Sequence, residues 1–308
     1  MKLNPGSVRK YTLKTAISVL RLFLFVTLAF VVLYPILTQI SSSFMSVSDV
    51  YNATVQYLPK DFTFNNYLII WEKLDLTNSA ITTLIYTFSM AFFQMASATL
   101  IGYGLARFKF KLNKPLFVMA LISLAIPPTL FLIPLYKIFA NFDILNIFPL
   151  ISGDSLNLLN SPLSMAILAI TATGYRCGLY IVLMRQYFKG VPKELEEAAY
   201  IDGAGIIKTF ISVMLPSAKT MMITIGLFSF VWTWLDTDFA PTLMYDFPLL
   251  SNKFDLIPSV LLNEANSDIL VSLCSYAAVI LTIVPLIILY LFTQKFFVQS
   301  VERSGLVG

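Results

Sequence analysis

The sequence predicts an all-α integral membrane protein, a bundle of six transmembrane helices. Of its 308 residues, 57% are hydrophobic and 12% are charged, and the mean hydropathy is +0.79. Soluble domains contain about 25% charged residues, so this chain has too few to cover a soluble fold, and it is too apolar to be disordered. Six apolar windows are each long enough to cross a bilayer as a helix.

The apolar windows predict helices because they are long and do not alternate in polarity, as the strands of a barrel would. They cover residues 22–42, 80–104, 115–137, 163–187, 217–244 and 271–294. The first window follows a basic stretch and exceeds the apolar part of a signal peptide, so we expect an uncleaved anchor helix. Prolines inside several windows indicate kinks, which serve packing or bend the bundle around a central cavity.

The basic residues predict the orientation. Sixteen of the 21 lysines and arginines lie in the N-terminal tail, the segments 105–114 and 185–219, and the C-terminus, whereas four lie in the other loops. Because cytoplasmic loops are enriched in lysine and arginine, we expect both termini in the cytoplasm. This orientation requires an even number of crossings, as six windows provide.

The residue inventory excludes several chemistries. Histidine is absent, which removes histidine-based catalysis and histidine-ligated metals. The two cysteines, Cys177 and Cys274, lie in apolar windows and provide neither a disulfide framework nor a zinc site. No basic block is long enough to indicate nucleic-acid binding. We therefore expect no catalytic residues, no metal site and no nucleic-acid partner, and a membrane enzyme is disfavoured.

The most informative segment lies between the fourth and fifth windows, at Val191–Pro216. Pro192 suits the first turn of a helix, and the three glutamates that follow lie near the positive end of the helix dipole. Asp202 and Gly203 are expected to break this helix. A second short helix with an apolar stripe follows, and Leu215 and Pro216 are expected to end it and to start the next span. Two short helices with a sharp turn indicate either a solvated amphipathic loop or a docking element for a partner.

This segment resembles the EAA motif of ABC importer permeases, and we call it the EAA segment. The matching residues are Glu197, Ala198, Ala199, Gly203, Val213, Met214, Leu215 and Pro216, with Val213 in place of the usual isoleucine. Its flanks are similar to the carbohydrate-uptake branch of that family, which includes the smaller permease of the maltose importer. Other stretches that resemble the family are 59–67, 106–108, 133–136 and 294–297.

The resemblance implies a type I ABC importer permease, whose six-helix bundle carries a cytoplasmic helix-turn-helix coupling element. Such a subunit forms half of a transmembrane pathway for a carbohydrate, here expected to be an oligosaccharide. The implied partners are a second permease of different sequence, two cytoplasmic ATPase subunits, an external solute-binding protein and membrane lipid. The residues expected to seat the chain on an ATPase subunit are Glu194, Glu197, Ala198, Ala199, Asp202, Gly203 and Pro216.

The chain itself is not expected to be an enzyme. It has no G-x-x-x-x-G-K-[ST] phosphate loop, so we expect it to bind no cofactor, and ATP and magnesium would be held by the partner ATPase subunits. The resemblance divides the chain into 1–75 (cytoplasmic tail, first transmembrane helix and external loop), 76–297 (type-1 permease domain) and 298–308 (cytoplasmic tail). It also implies a multi-pass protein of the bacterial cytoplasmic membrane.

The candidate residues of the substrate pathway are Arg176, Tyr180, Phe230, Trp232 and Trp234. Arg176 is the one charge deep in a predicted span, where charges are costly and usually face a cavity or a partner. It is expected either to bind substrate hydroxyls or to pair with another helix. Gly174 and Gly178 around it indicate either close helix approach or a helix break near the membrane surface. The aromatic residues either stack on sugar rings or form packing and interfacial contacts.

The alternative function is a stand-alone secondary transporter or channel. That class needs acidic residues at mid-span or ion sites in broken helices. The predicted spans contain acidic residues only at Asp236 and Asp238, near the outer end of the fifth window. These two residues are expected either to receive the binding protein or to form a solvated face. Many relatives carry Trp-Asn here, whereas Trp234 is followed by Leu235.

Overall fold

The computed structural model describes residues 5–143 and 155–305, and the regular elements among them are helices, which confirms the predicted all-α class. In chain order the helices are α1 (Pro5–Ser43), α2 (Val47–Tyr51), α3 (Asn65–Lys73), α4 (Leu76–Arg107), α5 (Asn113–Ala125), α6 (Leu132–Ala140), α7 (Pro162–Ile170), α8 (Cys177–Gly190), α9 (Glu194–Ile201), α10 (Ile206–Thr209), α11 (Leu215–Ser217), α12 (Lys219–Trp234), α13 (Phe239–Leu243), α14 (Leu250–Phe254), α15 (Ile257–Leu261) and α16 (Ser267–Gly305). A 3-10 turn (Pro128–Phe131) precedes α6, and a π-helical turn (Phe210–Met214) joins α10 to α11.

Within the described ranges, three helices are long and apolar enough to cross a membrane, namely Lys14–Ser43 of α1, the whole of α4, and Ser267–Gln294 of α16. Two bent pairs also qualify if each pair is one span: α5 with the segment Pro128–Ala140, bent by 108°, and Ile206–Ser217 with α12, bent by 73°. These five correspond to five of the six predicted windows. The fourth window is divided between α7 and α8, whose 9 and 14 residues are each too short for a crossing.

The structure differs from the prediction in the fourth and fifth windows. The fourth window breaks at residues 171–176, where Ala172 and Arg176 adopt positive φ angles of 54° and 64°. Arg176 therefore stands at the start of α8 and is exposed, instead of lying in the middle of a continuous helix. The fifth window ends as a helix at Trp234, not at residue 244, because the half-buried Asp236 caps the next helix. Its carboxylate accepts backbone N–H bonds from residues 238, 239 and 240 at 2.8–3.1 Å.

The chain forms two compact units, and unit 1 comprises residues 1–74 and 256–284. The side chains of α1 from residue 14 to 36 are exposed throughout. The buried Asn66 fixes α3, because its amide donates to the carbonyls of Ser43 and Met45 at 2.9 and 2.8 Å. Lys73 and Glu264 form an ion pair. Polar contacts therefore hold α3 to the end of α1 and to the segment that precedes α16.

Unit 2 comprises residues 75–255 and 285–308 and is built around α4, which packs along α8 and α12. Its buried core includes Tyr103, Tyr180, Met184 and Phe188. Polar side chains on α4 reach the neighbouring helices: Ser97 donates to a carbonyl at the end of α7 at 2.7 Å. This bond ties α4 to the end of α7, where the same carbonyl also accepts the Ala172 N–H at 3.2 Å.

Two glycines permit the closest helix contacts in unit 2. A Cβ on Gly102 would lie 2.5 Å from the Met184 Cβ and 3.0 Å from the Arg185 nitrogen, so α4 and α8 touch there. A Cβ on Gly178 would lie 2.6 Å from the Ala120 carbonyl oxygen of α5. The close approach expected at Gly178 is therefore confirmed, whereas Gly174 lies in the turn before α8 and contacts Leu168.

We expect Gly102→Ala to destabilise the protein by about 1–3 kcal/mol, since overpacking forces the backbone of α8 away. Gly104→Ala is the matched control, because its nearest neighbour is a side-chain carbon of Phe108 at 4.0 Å. This control should stabilise α4 slightly, by up to about 1 kcal/mol, through helix propensity alone. The measurement is the thermal unfolding midpoint of the purified protein in detergent. Equal midpoints for the two variants would contradict the close contact.

Candidate functional site

The first half of the EAA segment is the short helix α9, and its end is built as the sequence predicts. Gly203 adopts a φ of +79°, and its N–H donates to the Tyr200 carbonyl at 3.0 Å. The Ala204 N–H donates to the Ala199 carbonyl at 2.9 Å. These two bonds and the left-handed residue make a Schellman motif, which satisfies the last carbonyls of the helix. The predicted break at Asp202 and Gly203 is confirmed.

Most of the residues expected to meet an ATPase subunit lie on the surface of unit 2. Ala199 is half-buried, and the exposed members are Glu194, Glu197, Ala198, Asp202, Gly203 and Pro216. Large apolar side chains lie beside them in the sequence and are also exposed, with Ile201 at 86% and Ile207 at 76%. Exposed apolar residues rimmed by polar ones are typical of protein interaction sites. The exposed part of the EAA segment thus has the composition of a docking surface.

Glu196 differs from the other two glutamates of α9, which are both exposed. Its side chain is buried, and it lies against the end of α4. One carboxylate oxygen accepts the Tyr103 hydroxyl at 2.9 Å, and the other pairs with the Arg107 Nε at 3.0 Å. Arg107 also donates from Nη2 to the Val191 carbonyl at 2.6 Å. Sequence reasoning missed this contact, although Tyr103 and Arg107 stand one helical turn apart on one face.

The second half of the EAA segment differs from the predicted amphipathic helix. It consists of α10, the π-helical turn and α11, and only part of its apolar stripe is buried: Met214 is fully buried, whereas Ile207 and Ile211 are exposed. Pro216 does not end the segment, because the helical backbone continues through it to Ser217. The chain turns instead at Ala218, and the Tyr187 hydroxyl bonds to the Ser217 carbonyl just before that turn.

Three of the candidate pathway residues come together beside the turn that precedes α8. The Arg176 guanidinium lies 4.5 Å from the ring centre of Trp232 and 4.6 Å from that of Tyr175. The buried Tyr180 stacks on Trp232 with ring centres 5.9 Å apart. Such cation–π and stacking contacts hold the guanidinium at a defined position.

The other two aromatic residues face elsewhere. Residues two apart on a helix lie on nearly opposite faces, whereas residues four apart lie on the same face. Phe230 and Trp234 therefore share a face of α12 that Trp232 does not. They are buried and stack on each other at 5.9 Å, and Phe230 also contacts Phe88 of α4 at 4.8 Å. Their positions fit the packing interpretation.

Two cavities lie beside this cluster, one lined by Trp232 and the other by Arg176. The smaller, of about 20 Å³, is lined by polar and aromatic side chains, among them Gln94, Tyr180, Trp232 and Asp236. This volume is close to that of a single water molecule. The larger, of about 200 Å³, lies between the bent pair formed by α5 and α6 and the turn that carries Arg176. Both cavities are bordered by Gly174 and Tyr175, so the turn before α8 lies at their common wall.

Residues 98–303 match the family model described as "Binding-protein-dependent transport system inner membrane component". The chain belongs to this family. The resemblance stated from the EAA segment is thereby confirmed, and the EAA segment and both cavities overlap the matched range.

Among curated relatives, the chain is 30% identical over 251 residues to the melibiose/raffinose/stachyose import permease protein MelC of Bacillus subtilis (strain 168), with 81% of this chain and 83% of MelC covered. It is 26% identical to the diacetylchitobiose uptake system permease protein NgcG of Streptomyces coelicolor, with coverages of 89% and 84%. A solved bacterial ABC transporter that imports the acidic polysaccharide alginate matches with a TM-score of 0.69 and 22% identity, covering 96% of this chain and all of that chain. This structural likeness confirms the type I permease fold.

We expect Gly203→Ala to weaken the end of α9, since a left-handed backbone costs an alanine about 1–2 kcal/mol. Gly203→Asn should be milder because asparagine tolerates that conformation. Gly205→Ala is the matched control, with an ordinary φ of −73° and open space around it. Hydrogen exchange of the amides at 203 and 204, followed by mass spectrometry, should show faster exchange only in the Gly203→Ala protein. Unchanged protection in that protein would contradict a turn that depends on glycine.

Proposed function

We propose that this chain is the permease subunit of an ATP-driven importer and forms half of the transmembrane pathway for a carbohydrate, most simply an oligosaccharide. Family membership supports the transport role. The names of several relatives support the substrate class, since MelC imports melibiose, raffinose and stachyose and a permease from Halalkalibacterium halodurans serves arabinooligosaccharides. A further relative is UgpE of Escherichia coli, a permease of an sn-glycerol-3-phosphate transport system, so the substrates of the relatives also include a small anionic polyol.

The observation that carries the proposal is the surface of the EAA segment. On this surface the side chains of Ile201 and Ile207 are almost fully exposed, beside exposed acidic residues of α9. Burying such side chains against a partner releases about 1.5–3 kcal/mol each. In the proposed complex this surface seats in a groove of a cytoplasmic ATPase subunit, which holds ATP and magnesium. Both termini then lie in the cytoplasm, and a binding protein delivers the sugar from the other side.

The proposed substrate contacts are Trp232, which lines the smaller cavity with Gln94, and Arg176, which lines the larger one. An aromatic face suits the apolar C–H face of a sugar ring, and guanidinium and amide groups hydrogen-bond its hydroxyls. A cavity of about 20 Å³ does not admit a sugar, so the helices around it separate when substrate passes. Such opening and closing, driven by the ATPase subunits, is alternating access.

We expect Ala198→Cys to allow capture of the ATPase subunit. The native Cys177 and Cys274 are both buried, so a thiol-reactive photo-crosslinker should attach mainly at position 198. In the purified assembled transporter, irradiation should give an adduct with the nucleotide-binding subunit, identified by mass spectrometry. Tyr245→Cys, at a residue 54% exposed and outside the EAA segment, is the control and should give no such adduct. A transporting complex without an adduct from position 198 would refute the docking surface.

We expect Trp232→Ala to reduce sugar uptake by roughly two- to tenfold, the value of one aromatic contact. Trp232→Phe keeps a ring and should retain most of the uptake. The measurement is ATP-driven accumulation of labelled melibiose, raffinose and diacetylchitobiose in proteoliposomes that contain the assembled transporter, normalised to the amount of complex. Uptake that excludes all carbohydrates, or that proceeds from an ion gradient without ATP, would contradict the proposed function.

A further inference from the structure

The contact between Glu196 and the end of α4 is unlike the rest of the EAA segment because it faces inward. Glu196 is 7% exposed, and each of its carboxylate oxygens has its own partner, the Tyr103 hydroxyl or the Arg107 guanidinium. Aromatic rings surround the contact: the Tyr103 ring lies 4.7 Å from Phe210 and 5.3 Å from Phe188. The ion pair is therefore shielded from water and held in one geometry.

Arg107 holds the start of α9 at two points. Its Nε pairs with Glu196, while its Nη2 donates to the carbonyl of Val191, which lies before the helix begins. A guanidinium has a rigid planar fork of donors, which a lysine does not. As the last residue of α4, Arg107 is also favoured by the helix dipole. The EAA segment is thus attached to the terminus of α4 through one side chain that binds both the backbone and the carboxylate.

Buried ion pairs contribute little to net stability, because desolvation offsets the attraction. Apolar residues would pack this site at least as well, so stability alone does not account for the pair. What the pair provides is a fixed register between α9 and α4. The hydrogen bonds from Tyr103 to Glu196 and from Arg107 to Val191 are directional, and a shift of α9 along α4 would also separate the two buried charges of the ion pair, which is strongly unfavourable.

Helix α4 connects this contact to the candidate pathway. It runs without a break from Leu76 to Arg107, and Gln94 lies about 20 Å from Arg107 along the helix axis. Gln94 accepts a hydrogen bond from Ser229 of α12 at 2.6 Å and lines the smaller cavity with Trp232. A displacement of the EAA segment that moves Arg107 therefore moves a cavity-lining residue on the same rigid helix.

We propose that Glu196 is a positioning residue which, through Arg107 and Tyr103, makes α4 and its Gln94 move with the EAA segment and so couples ATP hydrolysis to opening of the pathway. This inference rests on the proposed function. It assigns to Glu196 a role distinct from docking: the exposed residues bind the ATPase subunit, and the buried carboxylate passes the motion inward.

The test uses the complete transporter, with its partner permease, ATPase subunits and binding protein, in proteoliposomes. Glu196→Gln keeps the shape of the side chain and removes its charge. We expect this complex to assemble and to hydrolyse ATP, with the ATP consumed per sugar imported rising roughly fivefold or more, since coupling between sites is typically worth 5- to 150-fold. Glu72→Gln is the matched control, because this glutamate is exposed on α3. It should keep the wild-type ratio.

A double-mutant cycle separates coupling from simple damage. If the pair acts as a unit, adding Glu196→Gln to Arg107→Gln should raise the ratio little further, because Arg107→Gln already removes the ion pair together with the bond to Val191, whereas independent residues give multiplied effects. Multiplied effects would overturn the inference, and so would a Glu196→Gln complex that forms in smaller amount but keeps the wild-type ratio. Failure of the proposed function looks different: the wild-type complex would then show no ATP-driven sugar uptake at all.

Discussion

Within a bilayer every backbone N–H and C=O must be bonded inside the protein. In unit 2, side chains of helix α4 supply such bonds to neighbouring helices that are interrupted. Ser97 donates to the Ala169 carbonyl where α7 ends. Thr83 accepts the Leu250 N–H where α14 begins. Arg107 binds the carbonyl that follows α8. The Leu250 N–H is a group that the start of a helix leaves without an intrahelical partner, and all three bonds reach positions where a neighbouring helix begins or ends, so one continuous helix permits breaks in the helices around it.

This constraint explains why the sequence predicts the helices better than their breaks. Apolar density is a local property and marks the windows well. The break at 171–176 contains no proline and lies inside an apolar window, and one hydrogen bond that stabilises it comes from Ser97, far away in the sequence. Pro216 misleads in the opposite sense: it suggests an end, but the helical backbone continues through it to Ser217 and turns at Ala218.

In the candidate site, too, features with local determinants were predictable from the sequence, and a long-range contact was not. The turn at Gly203 was predictable because all of its determinants lie within a few residues: a polar residue, a glycine that accepts a left-handed backbone, and a helix that needs its carbonyls satisfied. The burial of Glu196 was not, because its partners lie about 90 residues away. A signal was nevertheless present, since a tyrosine and an arginine one turn apart at the end of an apolar helix form a matched pair of donors for a carboxylate.

The surroundings of Arg176 bear on the two interpretations proposed for it. A structural charge in a membrane protein is expected to be paired, yet in the described part of the chain the ion pairs are Lys73 with Glu264 and Arg107 with Glu196. Arg176 instead lies on two aromatic rings, exposed, at a strained left-handed residue that starts a helix. Strained backbone conformations concentrate at functional sites because their cost requires compensation. An arginine held by ring faces, with its hydrogen-bond donors available, is suited to a passing ligand more than to a permanent partner.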